Sequence, residues 1–364
     1  MAHPRWAIDI DRDDIAHARL VDEAEAPLTD GEVEVRVDSF AMTANNVTYA
    51  ALGKPIGLFD NGKGYWDFFS PGGAGPGRVP VWGFATVTRS AAGGVAVGEQ
   101  FYGFYPMASH VRLTPGRVNA GGFVDVAEHR AGMPAVYDHY LRVAALGDYA
   151  EADRDWWPVF RPLYLTGWLI ADQFEDEGGY GADQVLVASA SAKTAIGFAH
   201  AMNQRERRLK LIGLTSPRGR DFLADAGLYD ELVLYDDIAS LDPAVPSAFV
   251  DIAGDGGLTA ALHHHFGDQL RLNLVVGKAH WDSGPGQRFP AVGFFAPARV
   301  AKRSKDWGPA GFQQRMGAAW THFLGDARKL FRIEASDGPD AALAAYGDAV
   351  AGRADPRVGT LVRP

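Results

Sequence analysis

The sequence predicts an α/β protein of two domains, a β-rich barrel-like domain and a central doubly wound parallel sheet. Three observations carry this. Up to about residue 113 the chain reads as short strands separated by glycine turns. From residue 163 it alternates apolar strands with amphipathic helices. Within that second part, residues 184–201 open on the apolar run Val185-Leu186-Val187, continue through small residues 188–192, and then place Ala195, Phe198, Ala199 and Met202 at helical spacing. That pattern is a buried strand, a tight turn and a helix.

The elements follow in order. Residues 31–40 alternate Val33, Val35 and Val37 with charged side chains, as a half-buried strand does. The pair Asn45-Asn46 ends this strand, and 47–52 start a helix. Residues 53–78 are rich in Gly, Pro and aromatics, including Phe59, Tyr65, Trp66, Phe68 and Phe69. Such a loop is either a binding loop or a flap whose aromatics pack on its own domain. Further strands are expected at 80–89, around 95–104 and at 109–113. Residues 120–157 read as an insertion or connecting region. A helix follows at 163–174, then strands at 185–187, 209–214, 231–235, 248–253 and 271–277, with helices at 220–226 and 258–266 between them. The tail carries one helix, 339–350, and a closing strand, 358–362. The expected domains are 1–160, 161–300 and a return to the first domain over 301–364.

Composition narrows the function. The 364 residues suffice for two cores, and 47% are hydrophobic, as in an ordinary globular protein. A net charge of −10 argues against general nucleic-acid binding, which relies on neutralising phosphates. With no cysteine there is no disulfide, thiol nucleophile or thiolate metal site. The N-terminus lacks a signal-peptide core, and no apolar run approaches the roughly 20 residues a membrane span requires. The expectation is a cytoplasmic protein without membrane or nucleic-acid partners.

The turn after Val187 suits a phosphate, because a helix N-terminus presents free N–H groups and a positive dipole end. Dinucleotide turns use glycine at three places. Here Ser189, Ala192 and Ala195 stand there: small enough for close approach, but costly wherever φ must be positive.

Several segments together resemble the medium-chain dehydrogenase/reductase superfamily, on its zinc-free quinone and enoyl reductase side. Residues 40–49, with Asn46, resemble the segment after the family's first hairpin. Trp82-Gly-Phe-Ala-Thr-Val and Val97-Gly-Glu-Gln-Phe-Tyr-Gly resemble a later strand and its turn. Thr166-Gly167-Trp168 resembles the helix start before the cofactor domain. Asp251-Ile-Ala-Gly254 and Leu274-Val-Val-Gly277 resemble segments lining the cofactor, and 358–362 resembles the final strand. The resemblance implies a Rossmann domain and a GroES-like catalytic domain, a small-molecule substrate and, as often in the family, a homodimer. The alcohol dehydrogenases' zinc-binding Cys and Gly-His-Glu are missing, so no catalytic zinc is expected and no metal ligand is assigned.

The resemblance assigns the cofactor to Thr166, Ser189, Ala190, Ser191, Ala192, Lys193, Thr194, Ala253, Gly254, Val276 and Gly277. The second strand of the sheet ends without the acid that accepts from an NAD ribose. Instead Ser216, Arg218 and Arg220 follow, which can hold a 2′-phosphate, so NADP(H) is expected. Without zinc, a hydrogen bond must polarise the substrate oxygen. Tyr49 or Tyr65 is the expected donor and Asn46 the positioner; helix capping by Asn46 and core packing by Tyr49 are the competing readings. The expected function is NADP(H)-dependent reduction of a small carbonyl, quinone or activated alkene. The alternative is a non-catalytic binding protein that kept the fold.

Other motifs are set aside. His263-His264-His265 do not share a helix face and suit a helix C-terminus. Ala192-Lys193-Thr194 lacks the glycines of a P-loop. The run Arg299, Lys302, Arg303, Lys305 is either a solvated face or a lure for an anion. His110 and His139 receive no role.

Overall fold

The computed structural model describes residues 5–55, 59, 62–70, 75–206, 208–277 and 289–364. The chain forms two compact units. One is Met1–Val159 with Ile333–Pro364, and the other is Phe160–Arg332. The first boundary falls inside the helix Trp156–Asp176. The chain returns to the first unit at Ile333 rather than near residue 301, because the long helix Ala296–Leu330 belongs to the second.

The second unit is built on a six-stranded sheet, in the order Glu231–Leu234, Lys210–Thr215, Gln184–Val187, Ser247–Asp251, Leu270–Val275, Val292–Gly293. The strands of this sheet pair in parallel, with Val185 opposite both Leu211 and Ala248. Numbered along the chain, this is the order 3-2-1-4-5-6 of a dinucleotide-binding sheet. Leu186, Ile212, Leu214 and Phe249 are fully buried in its core, so these strands read as continuous apolar runs. The helices Lys193–Asn203, Pro217–Ala226 and Gly256–Phe266 occupy the connections. Five strands were expected; the two-residue sixth is too short to carry a pattern.

Helix Lys193–Asn203 is crossed closely by Trp156–Asp176. A Cβ added at Gly167 would lie 2.4 Å from the Phe198 nitrogen and 2.7 Å from the Gly197 carbonyl carbon. Those are backbone atoms, so no rotamer change relieves the clash. Gly167→Ala is therefore expected to lower stability by about 1–3 kcal/mol, read as a fall in melting temperature.

The first unit centres on Val33–Met42, which pairs antiparallel with Pro80–Ser90, His110–Leu113 and Val358–Arg363. Gln100–Pro106 pairs beyond Pro80–Ser90. The N-terminal hairpin Trp6–Ile10 with Ala18–Asp22 is an element the sequence pattern did not suggest. The charged positions of the central strand do not all face water. Glu34 is buried and takes two bonds from the Arg5 guanidinium, at 2.8 and 2.9 Å.

Residues 120–157 contribute strands to this sheet. Gly122–Asp125 and His139–Arg142 join the sheet after Gln100–Pro106, and Pro115–Asn119 forms its edge. In the aromatic stretch 53–78, residues 56–58, 60, 61 and 71–74 lie outside the described residues. The described part packs on its own unit: Phe59, Tyr65, Trp66 and Phe68 are buried. Among the described residues, no helix is long and apolar enough to cross a membrane.

Candidate functional site

In the second unit the predicted cofactor residues other than Thr166 follow the carboxyl ends of the parallel strands, where such sheets bind ligands. Ser189 adopts φ 49°, the left-handed region where the fingerprint's glycine would sit. Strain of about 1 kcal/mol is thereby concentrated in one residue, since Ala192 has φ −65°. Two tyrosines brace the turn, which sequence reasoning missed. The Ser189 N–H donates to the Tyr235 hydroxyl at 3.0 Å, and the Tyr229 hydroxyl donates to the Ala190 carbonyl at 2.9 Å. The Ala190 N–H donates to the Leu214 carbonyl, tying the turn to the second strand. Both tyrosines follow the helix after that strand, so no local pattern linked them to residue 189.

Helix Lys193–Asn203 starts at Ala192 with no side chain capping it. Ser191, Ala192 and Thr194 are partly exposed there, so the first-turn amides face a site open to an anion. Lys193 is positioned differently from its assignment: its ammonium lies 5.7 Å from the Phe331 ring centroid. The Thr166 hydroxyl donates to its own helix, at the Pro162 carbonyl.

Ser216, Arg218 and Arg220 are exposed at the end of Lys210–Thr215 and the start of the next helix. Asp251 ends the fourth strand buried. Its carboxylate accepts from the Gly254 N–H at 2.8 Å, and its carbonyl accepts from the Val276 N–H at 2.8 Å. Those two bonds bring Ala253, Gly254, Val276 and Gly277 together. Burial pushes the Asp251 carboxyl up to about 6, despite the Gly254 amide.

Two members of the basic run are internal structure, while Lys302 and Lys305 are exposed. Arg299 and Arg303 are buried, and their Nε atoms donate to the same Asp172 oxygen at 2.8 and 2.7 Å. Lys302 pairs with Asp176 and Asp306. Burial pushes Asp176 up, but bonds from Lys302 and Arg299 outweigh it and hold its carboxyl at about 2. His265 bonds the Leu241 carbonyl and His263 bonds Asn273 at the helix end, as polar end groups do.

In the first unit the predicted catalytic residues separate in character. Asn46 is buried and engaged as a cap: its Oδ1 accepts from the Thr43 N–H at 2.8 Å, and its Nδ2 donates to the Pro80 carbonyl at 2.9 Å. That geometry describes scaffolding. Tyr49 and Tyr65 are buried in an aromatic cluster, ring centroids 4.5 Å apart, together with a residue the sequence reading missed, Tyr137. The Tyr49 hydroxyl accepts from Asn45 Nδ2 at 2.7 Å and Trp82 Nε1 at 3.3 Å. A hydroxyl with two donors on its oxygen must point its own proton elsewhere. The Tyr65 and Tyr137 hydroxyls lie 2.9 Å apart. Burial is the main cause raising all three pKa values, so the trio stays protonated and can donate hydrogen bonds.

Beside this trio Arg130 is buried between Asp125, at 3.2 Å, and Asp138, at 3.4 Å, with its guanidinium 4.7 Å from the Phe69 centroid. Burial raises the Asp138 carboxyl to about 7 although Arg130 opposes it. A folded-state pKa raised this way means the folded chain keeps a proton that the unfolded chain releases near pH 4. Stability from this group is present at low pH and lost as pH rises through about 7. Asp138→Asn is expected to flatten the decline between about pH 4 and 7 in denaturant unfolding curves taken across that range.

The 3-2-1-4-5-6 sheet of one unit and the antiparallel β unit drawn from both chain ends make a fold of a Rossmann and a GroES-like domain. Solved structures bear this out. CurA from Vibrio vulnificus, in complex with NADPH, is similar over 98% of each chain, with TM-score 0.64 and 12% identity. The quinone oxidoreductase from Coxiella burnetii is similar over 100% of each chain, with TM-score 0.57 and 13% identity. The YhdH oxidoreductase from Salmonella enterica, in complex with NADP, is similar over 99% of each chain, with TM-score 0.55 and 15% identity. At these identities the likeness shows the fold. No curated protein matches the chain by sequence. The chain belongs to the family described as protein of unknown function (DUF2855), whose model matches residues 40–355.

Proposed function

We propose that the chain is an NADP(H)-dependent oxidoreductase that reduces a small carbonyl, quinone or activated alkene. The observation that carries this reading is the turn at Ser189: it holds a strained left-handed residue and leads into an uncapped helix. Strain of this kind persists where the surrounding structure over-determines it, often at ligand clamps. The similar folds that hold NADPH or NADP support the cofactor class.

The cofactor, when bound, supplies the hydride. The chain's own residues do the rest. Amides of the 191–194 turn other than that of Ala192, which already donates to the Ser189 carbonyl, hold the pyrophosphate, and Ser216, Arg218 and Arg220 hold the 2′-phosphate. Tyr49 and Tyr65 donate to the acceptor oxygen as charge develops on it, and Tyr137 positions them. Arg218→Ala/Arg220→Ala is expected to weaken NADPH binding about tenfold or more while leaving NADH binding unchanged, as read by calorimetric titration.

One observation favours a non-catalytic nucleotide- or small-molecule-binding protein instead: Tyr235 already occupies the Ser189 amide, so the turn offers one donor fewer than a glycine turn. A panel of quinones, enones and aldehydes, followed by NADPH consumption, separates the two. Turnover of any member supports the reductase. NADPH binding without turnover across the panel supports the binding protein.

A further inference from the structure

His200, His322 and Asp326 converge within the second unit. His200 lies on the helix Lys193–Asn203; His322 and Asp326 lie on Ala296–Leu330 at i and i+4, and so share a face. One ligand-type atom from each falls within 4.8 Å of the other two. The Asp326 Oδ2 is 3.4 Å from His200 Nε2 and 3.9 Å from His322 Nε2, while Oδ1 is held by Lys329 at 2.7 Å. The carboxylate is thus oriented with one oxygen toward both imidazoles.

His200 is the unusual member. It is 3% exposed, and neither ring nitrogen makes an aligned hydrogen bond among the described residues. Its surroundings are the rings of Tyr164 and Phe323, centroids 5.8 and 5.2 Å away. A buried imidazole with neither nitrogen in an aligned hydrogen bond calls for a specific partner. Asp326 approaches Nε2 at 3.4 Å, within ion-pair distance but not aligned as a hydrogen bond.

We infer that His200, His322 and Asp326 form a binding site for a first-row divalent cation of the Zn²⁺ type, with its remaining coordination position toward solvent. Two imidazoles and a carboxylate suit zinc, cobalt and nickel better than calcium or magnesium, which prefer all-oxygen sets. Bonds of 2.0–2.1 Å at tetrahedral angles put ligand atoms about 3.3 Å apart. The cluster must therefore contract by up to about 1.5 Å, which the half-exposed His322 and Asp326 can do by side-chain rotation around the buried His200. His200 is the eighth residue of the helix that follows the turn, so the site uses none of the residues assigned to the nucleotide. The cation would clamp the helix that begins at the turn to the helix Ala296–Leu330.

The test uses untagged, full-length protein stripped of metal with a chelator and titrated with Co²⁺, read by visible absorption, with Zn²⁺ added as competitor. A low-coordinate Co²⁺ band that Zn²⁺ displaces is expected. His322→Ala and Asp326→Asn should each weaken Co²⁺ binding by about tenfold or more, while His264→Ala in the exposed histidine run should leave it unchanged. Both variants are at the surface, and unchanged metal-free melting confirms that they fold. Absence of a Co²⁺ band, a band that survives both variants, or one lost with His264→Ala overturns the inference.

Discussion

Ala192→Asp is expected to weaken NADPH binding by about 100-fold, roughly 2.7 kcal/mol, while leaving the melting temperature of the free protein unchanged or higher. The two effects come from one cause and have opposite signs. Ala192 is the N-cap of an eleven-residue helix that no side chain caps. Aspartate is among the best N-cap residues, and its carboxylate would bond first-turn amides and favour the helix dipole. The same carboxylate would take the donors assigned to the pyrophosphate and set a negative charge beside it. A lesion that merely damaged the fold would lower both quantities together. Unchanged NADPH affinity in this variant would move the anion site away from the turn. Calorimetric titration and a thermal scan of the same preparation read both numbers.

The double variant Tyr49→Phe/Tyr65→Phe is expected to lower kcat by about 100-fold or more on any substrate found, with NADPH affinity unchanged. Both hydroxyls are protonated donors in an apolar cluster, where a hydrogen bond to a developing oxyanion is strongest. Phenylalanine keeps the ring packing and removes the hydroxyls, together with the bonds they make to Asn45, Trp82 and Tyr137, so a thermal scan of the variant accompanies the rates. Single-turnover rates, taken with the cofactor pre-bound, isolate this step from binding. Turnover equal to that of the unsubstituted chain would remove the tyrosines from the chemistry and leave them as core. The Asn46→Ala variant should behave differently, because Asn46 caps its helix and bonds Pro80: its loss is read in stability before it is read in rate.

The parallel sheet was the most legible part of the chain. Its strands are buried on both faces, so Val185-Leu186-Val187 and Ala248-Phe249-Val250 announce themselves as apolar runs, and intervening helices repeat at regular intervals. The turn at Ser189 was legible as a compromise between small size and missing glycine, and the backbone takes the left-handed conformation at that one place. The β unit was harder. Strands such as Gly122–Asp125 and His139–Arg142 span four residues each, too few for a period of two to stand out. Tyr137 enters the tyrosine cluster from that region, so it escaped notice with it. The basic run misled for another reason: Asp172 and Asp176, which absorb its charge, sit on a helix far back in the sequence. The bracing of the turn by Tyr229 and Tyr235, and the meeting of His200 with His322 and Asp326, are likewise tertiary facts with no local signature.

The measurement that bears most directly on the whole account is a pair of calorimetric titrations of the unsubstituted chain, one with NADPH and one with NADH, at the same ionic strength. Saturable one-to-one binding of NADPH, at least about tenfold tighter than NADH, is the predicted result. Heat of dilution alone with millimolar NADPH, or equal affinity for the two nucleotides, would contradict it.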